Sequence, residues 1–203
     1  MSEHAIETLA QLESLYGAVG EASSRKEVGF VHPLYREMIE ASPFAVLATA
    51  GPGGLDASPR GDPPGFVTMQ DEHTLLLPDR RGNNRIDSLR NILSDPRIAL
   101  LFLIPGSGET LRVNGTASIS TEPGLLKRFE MNGNLPRCVV VIKVETVFFQ
   151  CARAIHRSRL WQSDRPERAI PSVGTILEAL TDAAIDGRKY DQELPERQRS
   201  TLY

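Results

Sequence analysis

The chain has 203 residues, enough for one substantial core or one domain with extensions. Its formal charge of −3 gives no general pull toward nucleic acid or a membrane surface, so the arginines count by placement rather than by number. Cys138 and Cys151 are the only cysteines and form neither a CxxC pattern nor a disulfide framework, which fits a reducing cytoplasm; no signal peptide and no bilayer-spanning apolar run is expected.

Residues 5–16 place Ile6, Leu9, Leu12, Leu15 and Tyr16 at roughly helical spacing, and Gly17 and Gly20 break the pattern. A second short helix is predicted after Pro33, with Leu34, Tyr35, Met38 and Ile39 on one face and Pro43 at its end. The period then changes. Residues 44–50 read as a small, apolar strand, Gly51-Pro52-Gly53-Gly54 as a turn, and residues 55–60 as the returning strand of a hairpin. Asp62-Pro63-Pro64-Gly65 interrupts, residues 66–69 resume, Gln70-Asp71-Glu72-His73 turns, and residues 74–77 form the next strand. The helix that follows takes Asn84 as N-cap, with Asp87 three residues on in an imperfect capping box. Ile86, Leu89, Ile92 and Leu93 form its stripe, and Asp95-Pro96 stops it. Residues 97–104, 110–120 and 139–149 are strands, and residues 123–131 a short helix with proline in its first turn. Residues 150–161 continue the last strand region with more charge. From Val173 one helix puts Ile176, Leu177, Leu180 and Ala184 on a face, and a polar, mobile segment begins at Gln192. Short strands with few helices and no regular β-α-β alternation predict a mainly β, α+β fold, a small antiparallel barrel with flanking helices.

Leu77-Pro78-Asp79-Arg80-Arg81-Gly82-Asn83-Asn84-Arg85 joins strand to helix and is suited to an anion. Free N–H groups and the dipole at a helix start attract negative charge, and guanidinium forks match a phosphate. Glycine and asparagine allow close backbone approach, yet the same residues also make an ordinary basic turn. Ser58-Pro59-Arg60-Gly61-Asp62 ends the second strand; Arg60 is either a surface arginine paired with Asp56 or Asp62, or a second arginine converging on the junction. In Leu111-Arg112-Val113-Asn114-Gly115 the alternation puts Arg112 and Asn114 on one side, as a polar edge or as donors to a planar ligand. His156-Arg157-Ser158-Arg159-Leu160-Trp161 holds the only tryptophan, either a rim residue or an aromatic and cationic wall. The four histidines are scattered, and no GxSxG elbow, GxxxxGK[ST] loop or complete dinucleotide fingerprint occurs. An enzyme built on this chain would draw its reaction from a bound cofactor.

Phe44-Ala45-Val46-Leu47-Ala48-Thr49, Ser58-Pro59-Arg60-Gly61-Asp62, the junction, Asp95-Pro96-Arg97 and Leu111-Arg112-Val113-Asn114-Gly115, taken in that order, resemble the pyridoxamine 5′-phosphate oxidase-like flavoproteins. The resemblance covers roughly residues 30–162 and is closest to an FMN-binding subgroup with a Pro-Asp-Arg-x-Gly-Asn-Asn-Arg segment. It implies a six-stranded antiparallel split β-barrel with Greek-key features, a homodimer, FMN at the dimer interface and no metal. The domains would be a helical arm at 1–29, the FMN-binding barrel at 30–162, and a C-terminal helix and polar tail at 163–203. Carried over, Arg60 and the segment 81–85, above all Asn84 and Arg85, meet the FMN phosphate, and Ser58, Leu77, Asp79, Arg81 and Asn83 belong to the same site. Leu111 and Arg112 lie along the flavin ring, and Arg157 and Trp161 reach it from the partner subunit. The implied function is an FMN-dependent oxidoreductase acting on an unknown small substrate. The alternatives are a flavin-storing or sensing module without turnover, or the same barrel holding deazaflavin F420 or haem. The vitamin B6 oxidases carry a Ser-Arg-Lys-type segment where this chain has Gly-Asn-Asn-Arg, so the resemblance carries fold and flavin to this chain but not the substrate.

Overall fold

The computed structural model describes residues 4–162 and 170–202. Apolar runs and stretches of apolar–polar alternation, separated by turns, produce seven strands: β1 (Phe44–Gly51), β2 (Gly54–Gly61), β3 (Thr68–Asp71), β4 (Thr74–Asp79), β5 (Arg97–Leu103), β6 (Thr110–Ser120) and β7 (Cys138–Gln150). They form one antiparallel sheet in the order β2-β1-β5-β6-β7-β4-β3. The expected six-stranded barrel is thus a seven-stranded sheet whose ladder does not close, with β2 and β3 as its edges. Both edges have a local cause. Pro59 in β2 has no N–H to give a further strand, and β3 is four residues long with a register shift between Met69 and Asp71.

The inward faces of the strands form the main core: Ala45 and Leu47, Ile98, Leu100 and Phe102, Leu111 and Val113, Val140, Ile142 and Val144, with Leu75 and Leu77 of β4. Two helices cover it. From α3 (Pro33–Ala41) comes Ile39, with Tyr35 and Met38 packed alongside, whereas Leu34, predicted on the same face, is exposed; from α4 (Asp87–Ser94) comes Ile92, with Leu89. A second small core, Leu76, Val139 and Phe129, lies under α5 (Pro123–Arg128), shorter than the predicted 123–131.

Several expectations are corrected. Asn84 does not cap α4. It has φ 62, in the left-handed region, whereas an N-cap needs extended backbone; Ile86 takes the cap position with no side-chain bond. Ile86 and Leu93 consequently face solvent. The predicted helix over 5–16 contracts to α1 (Leu9–Glu13), and a second piece, α2 (Glu21–Arg25), follows; neither buries a residue, and short helices without a buried face hold few turns. Past Gln150, the last β7 residue paired to β6, the chain turns into α6 (Arg153–Ser158) rather than continuing as strand. The predicted mobile segment from Gln192 lies within α8 (Gly187–Ser200), capped by Asp186 and laced by Lys189–Glu193 and Arg199–Glu196 pairs. It crosses α7 (Val173–Leu180) at two glycines: a Cβ on Gly174 would sit 2.0 Å from the Gly187 carbonyl oxygen. Residues 163–169, the start of the expected C-terminal region, lie outside the described residues.

Candidate anion-binding site

The site begins on the edge strand β2. Thr49, Leu47 and Ala45 of β1 stand opposite Asp56, Ser58 and Arg60, so these three polar residues share the core-side face. Helix α4 lies over them because Gly51 lets it in; a Cβ there would be 2.2 Å from Asn91 Oδ1. Asn91 Nδ2 donates to Thr49 Oγ1 at 3.1 Å. In the first turn of α4, buried Ser88 donates to Asp56 at 2.6 Å and accepts from Arg60 Nη2 at 3.1 Å. Ser58 Oγ donates to the same carboxylate at 3.0 Å, and Arg60 Nη1 donates to the Pro59 carbonyl at 2.9 Å. Arg60 therefore reaches Asp56 only through Ser88, and its guanidinium is held at the open, uncapped start of α4.

The three junction arginines have different fates. Arg80 donates to Asp62 at 2.6 Å and to the Phe129 carbonyl at 2.6 Å; the side chains are 17% and 2% exposed, so this pair ties the end of β2 to the end of β4. Arg81 is exposed. Arg85, its side chain 78% exposed, pairs with Asp87 at 3.0 Å, and its N–H donates to Asn83 Oδ1 at 3.0 Å. Asn84 Oδ1 accepts from Arg137 Nη1 at 2.9 Å.

Arg137 is the site residue that sequence reasoning missed. It directly precedes β7, whose Cys138 stands opposite Asp79, and its N–H donates to the Asp79 carbonyl at 3.4 Å. The signal in sequence was a single basic residue between Pro136 and the β-branched run of β7, meaningful only once β7 is placed beside β4. Burial raises the Asp79 carboxyl above its ordinary range, and the positive charges of Arg60 and Arg137 offset part of that. The Cys138 thiol is pushed up to about 11 by burial and then by the Asp79 charge, against the pull of Arg60. Arg60, Arg137, Asp79 and Cys138 thus share one electrostatic neighbourhood, although 77 residues separate the first two.

The remaining candidates lie elsewhere. Leu77 and Leu111 are buried in the main core, so their side chains serve packing. Arg112 stands opposite Leu101, and Leu101 opposite Val46, while Arg60 stands opposite Ala45; Arg112 and Arg60 therefore occupy opposite faces of the sheet. The Arg112 guanidinium lies 5.4 Å from the Phe148 ring centroid. Trp161 Nε1 donates to the Ser107 carbonyl at 2.5 Å, Arg157 is exposed on α6, and Gly108 lets the β5–β6 loop press on Ala152. The face that carries Arg112 also shows Phe44, Val46, Leu101 and Leu103, none of them fully buried. By contrast, Val139, Val140, Ile142 and Val144 are buried within the chain. Among the described residues, no group of three or more His, Cys, Asp or Glu is placed to hold a metal ion, and no helix is long and apolar enough to cross a membrane.

Residues 31–151 match the family model described as pyridoxamine 5′-phosphate oxidase, more than half of the chain, and the chain belongs to that family. Among solved structures, a variant of HupZ from Group A Streptococcus aligns with a TM-score of 0.50 and 21% identity, covering 59% of this chain and 99% of that one. A candidate pyridoxamine 5′-phosphate oxidase of Lactobacillus delbrueckii aligns with a TM-score of 0.47 and 20% identity, over 60% of this chain and 95% of that one. An FMN-binding protein of Syntrophomonas wolfei gives 0.42 and 16%, over 56% and 86%. At such identities the likeness is one of fold. No curated protein matches the chain.

Proposed function

We propose that the protein is an FMN-dependent oxidoreductase that grips the FMN phosphate between Arg60, the start of α4 and the segment 81–85. The observation that carries this reading is Arg60 held by Ser88 at an uncapped helix start, in a member of this family. A phosphate dianion fits that donor set. Each hydrogen bond to a charged group contributes about 1.5–3 kcal/mol, and a helix start adds up to about 2 kcal/mol in partly buried geometry. Bound there, the flavin would supply hydride transfer at its N5 to or from a small organic substrate. The chain's own residues do the holding. Asp56, satisfied by two serines, fixes the Arg60 fork, Asn83 shapes the turn that presents Asn84 and Arg85, and Leu77 backs the site from the core.

A homodimer belongs to the same reading. The face with Phe44, Val46, Leu101 and Leu103 offers apolar area to a second copy, and Arg112 on that face would meet a flavin lying at the interface. Arg157 and Trp161 of the partner subunit would close over it. Two free cysteines, one of them exposed, suit a reducing cytoplasm.

The test is the visible spectrum of purified protein and the mass of the ligand it releases. Flavin bands and the mass of FMN are expected, and a deazaflavin or haem spectrum overturns the assignment. Replacing Arg60 and Arg85 together with alanine should strip the flavin. A double variant that keeps stoichiometric FMN removes the phosphate from this place.

A further inference from the structure

We propose that Arg137 is a direct ligand of the FMN phosphate and that Asn84 is the residue that positions it. This rests on the flavin reading above. Of the five basic residues near the junction, Arg80 is committed to Asp62 and Phe129, and Arg85, one of the phosphate ligands proposed above, also pairs with Asp87 at the start of α4. Arg137 is exposed, and among the described residues its side chain spends a single N–H on Asn84 Oδ1. A guanidinium has five N–H donors in a fixed fork, so a two-pronged contact with a phosphate remains open to it.

Its placement is built into the backbone. The β4–β7 register sets Cys138 opposite Asp79, which brings Arg137 to the first residues of the junction, and its N–H fastens it to the Asp79 carbonyl. Asn84 meets it from the other side. The left-handed backbone at φ 62, which disqualifies Asn84 as a helix cap, is the conformation from which its side chain holds the Arg137 guanidinium. Arg60 comes from β2 and Arg137 from the residue before β7, and the charges of both reach the Asp79 carboxyl, so the two cations lie near the start of the junction. A phosphate between them would be gripped from β2, from the junction and from the start of β7.

The experiment measures binding of FMN and of riboflavin to flavin-stripped protein by quenching of flavin fluorescence, with thermal unfolding recorded for every variant. Riboflavin lacks only the phosphate. Arg137→Ala should weaken FMN by about 10- to 100-fold, the range for one charged hydrogen-bonded contact, and leave riboflavin within about twofold. Arg137→Lys should recover part of the loss, since the charge stays and the fork goes. Asn84→Gly keeps the left-handed backbone open while removing Oδ1, and it should lower the FMN-to-riboflavin preference by a smaller factor. Equal losses for both flavins in Arg137→Ala, or no loss for either, would overturn the proposal and leave Arg137 a staple of the loop. A wild type that binds neither flavin would overturn the parent reading, and this one with it.

Discussion

Strands β2 and β4 border the same core and could hardly differ more in what they present to it. β4 buries Leu75, Leu76, Leu77 and Pro78 in succession, because the main core covers one face and α5 the other. β2 buries none of its eight residues, and its core-side row is Asp56, Ser58 and Arg60. A charged row turned inward is costly unless every group finds a partner. Here the partners come from within β2 and from the first turn of α4: Ser58 and Ser88 donate to Asp56, and Arg60 donates to the Pro59 carbonyl and to Ser88. The contrast separates labour. The doubly buried strand fixes geometry, and the edge strand, lying where a helix start leaves donors free, carries the polar residues of the candidate site.

The largest expected effect strikes the tie between the two regions. Asp62 follows β2, Arg80 follows β4, and their ion pair is nearly buried. Asp62→Ala leaves the Arg80 charge without that carboxylate and should cost about 3–5 kcal/mol in urea unfolding. It should also weaken FMN, because the junction loses its tether to β2. A loss below about 1 kcal/mol would reduce the pair to an ordinary surface bridge and dissolve the tie. Next comes β4 itself. Leu77→Ala should cost about 2–5 kcal/mol through lost burial and the cavity left behind, while the folded variant keeps its flavin affinity. Loss of flavin at unchanged stability would move Leu77 from the scaffold into the site, as the family resemblance implies.

Much of this contrast was legible in the chain. Apolar and β-branched runs between Gly/Pro turns located the strands, and the Asp95-Pro96 stop and the proline at the start of α5 bounded helices correctly. What could not be read were facts that live in register. Arg80, Arg81 and Arg85 look alike in sequence, and only the placement of Asp62 and Phe129 in the fold singles out Arg80 as a half-buried tie. Arg60 and Arg112 both sit on strands beside polar residues, yet pairing through Ala45 and Leu101 sends them to opposite faces. Arg137 joins the site through the Asp79–Cys138 pairing, a contact between segments about 60 residues apart that no local pattern announces. The helix α8 was hidden for another reason: it has almost no apolar stripe, and its support is a cap and charge pairs rather than burial.

The smallest expected effect is the most diagnostic for the electrostatics of the edge. Asp79 ends the scaffold strand but faces the cations of the site, and burial outweighs those cations in setting its carboxyl above the ordinary value of 3.8. The folded state therefore holds this proton more tightly than the unfolded chain does. Stability from this group is fully present below the unfolded value and is lost as pH rises through the folded one. At neutral pH the ionised carboxylate is a net cost, so Asp79→Asn should raise the unfolding midpoint at pH 7 by less than either loss above. The gain should shrink toward zero as the pH is lowered past the ordinary carboxylate range. The same substitution removes a negative charge from beside Arg60 and Arg137, so FMN affinity should rise with it. A midpoint that falls at pH 7 would mean that Arg60 and Arg137 stabilise the ionised carboxylate more than burial opposes it. Asp79 would then be a counter-ion belonging to the edge strand's network, and the division between scaffold and site would run through β4 instead of around it.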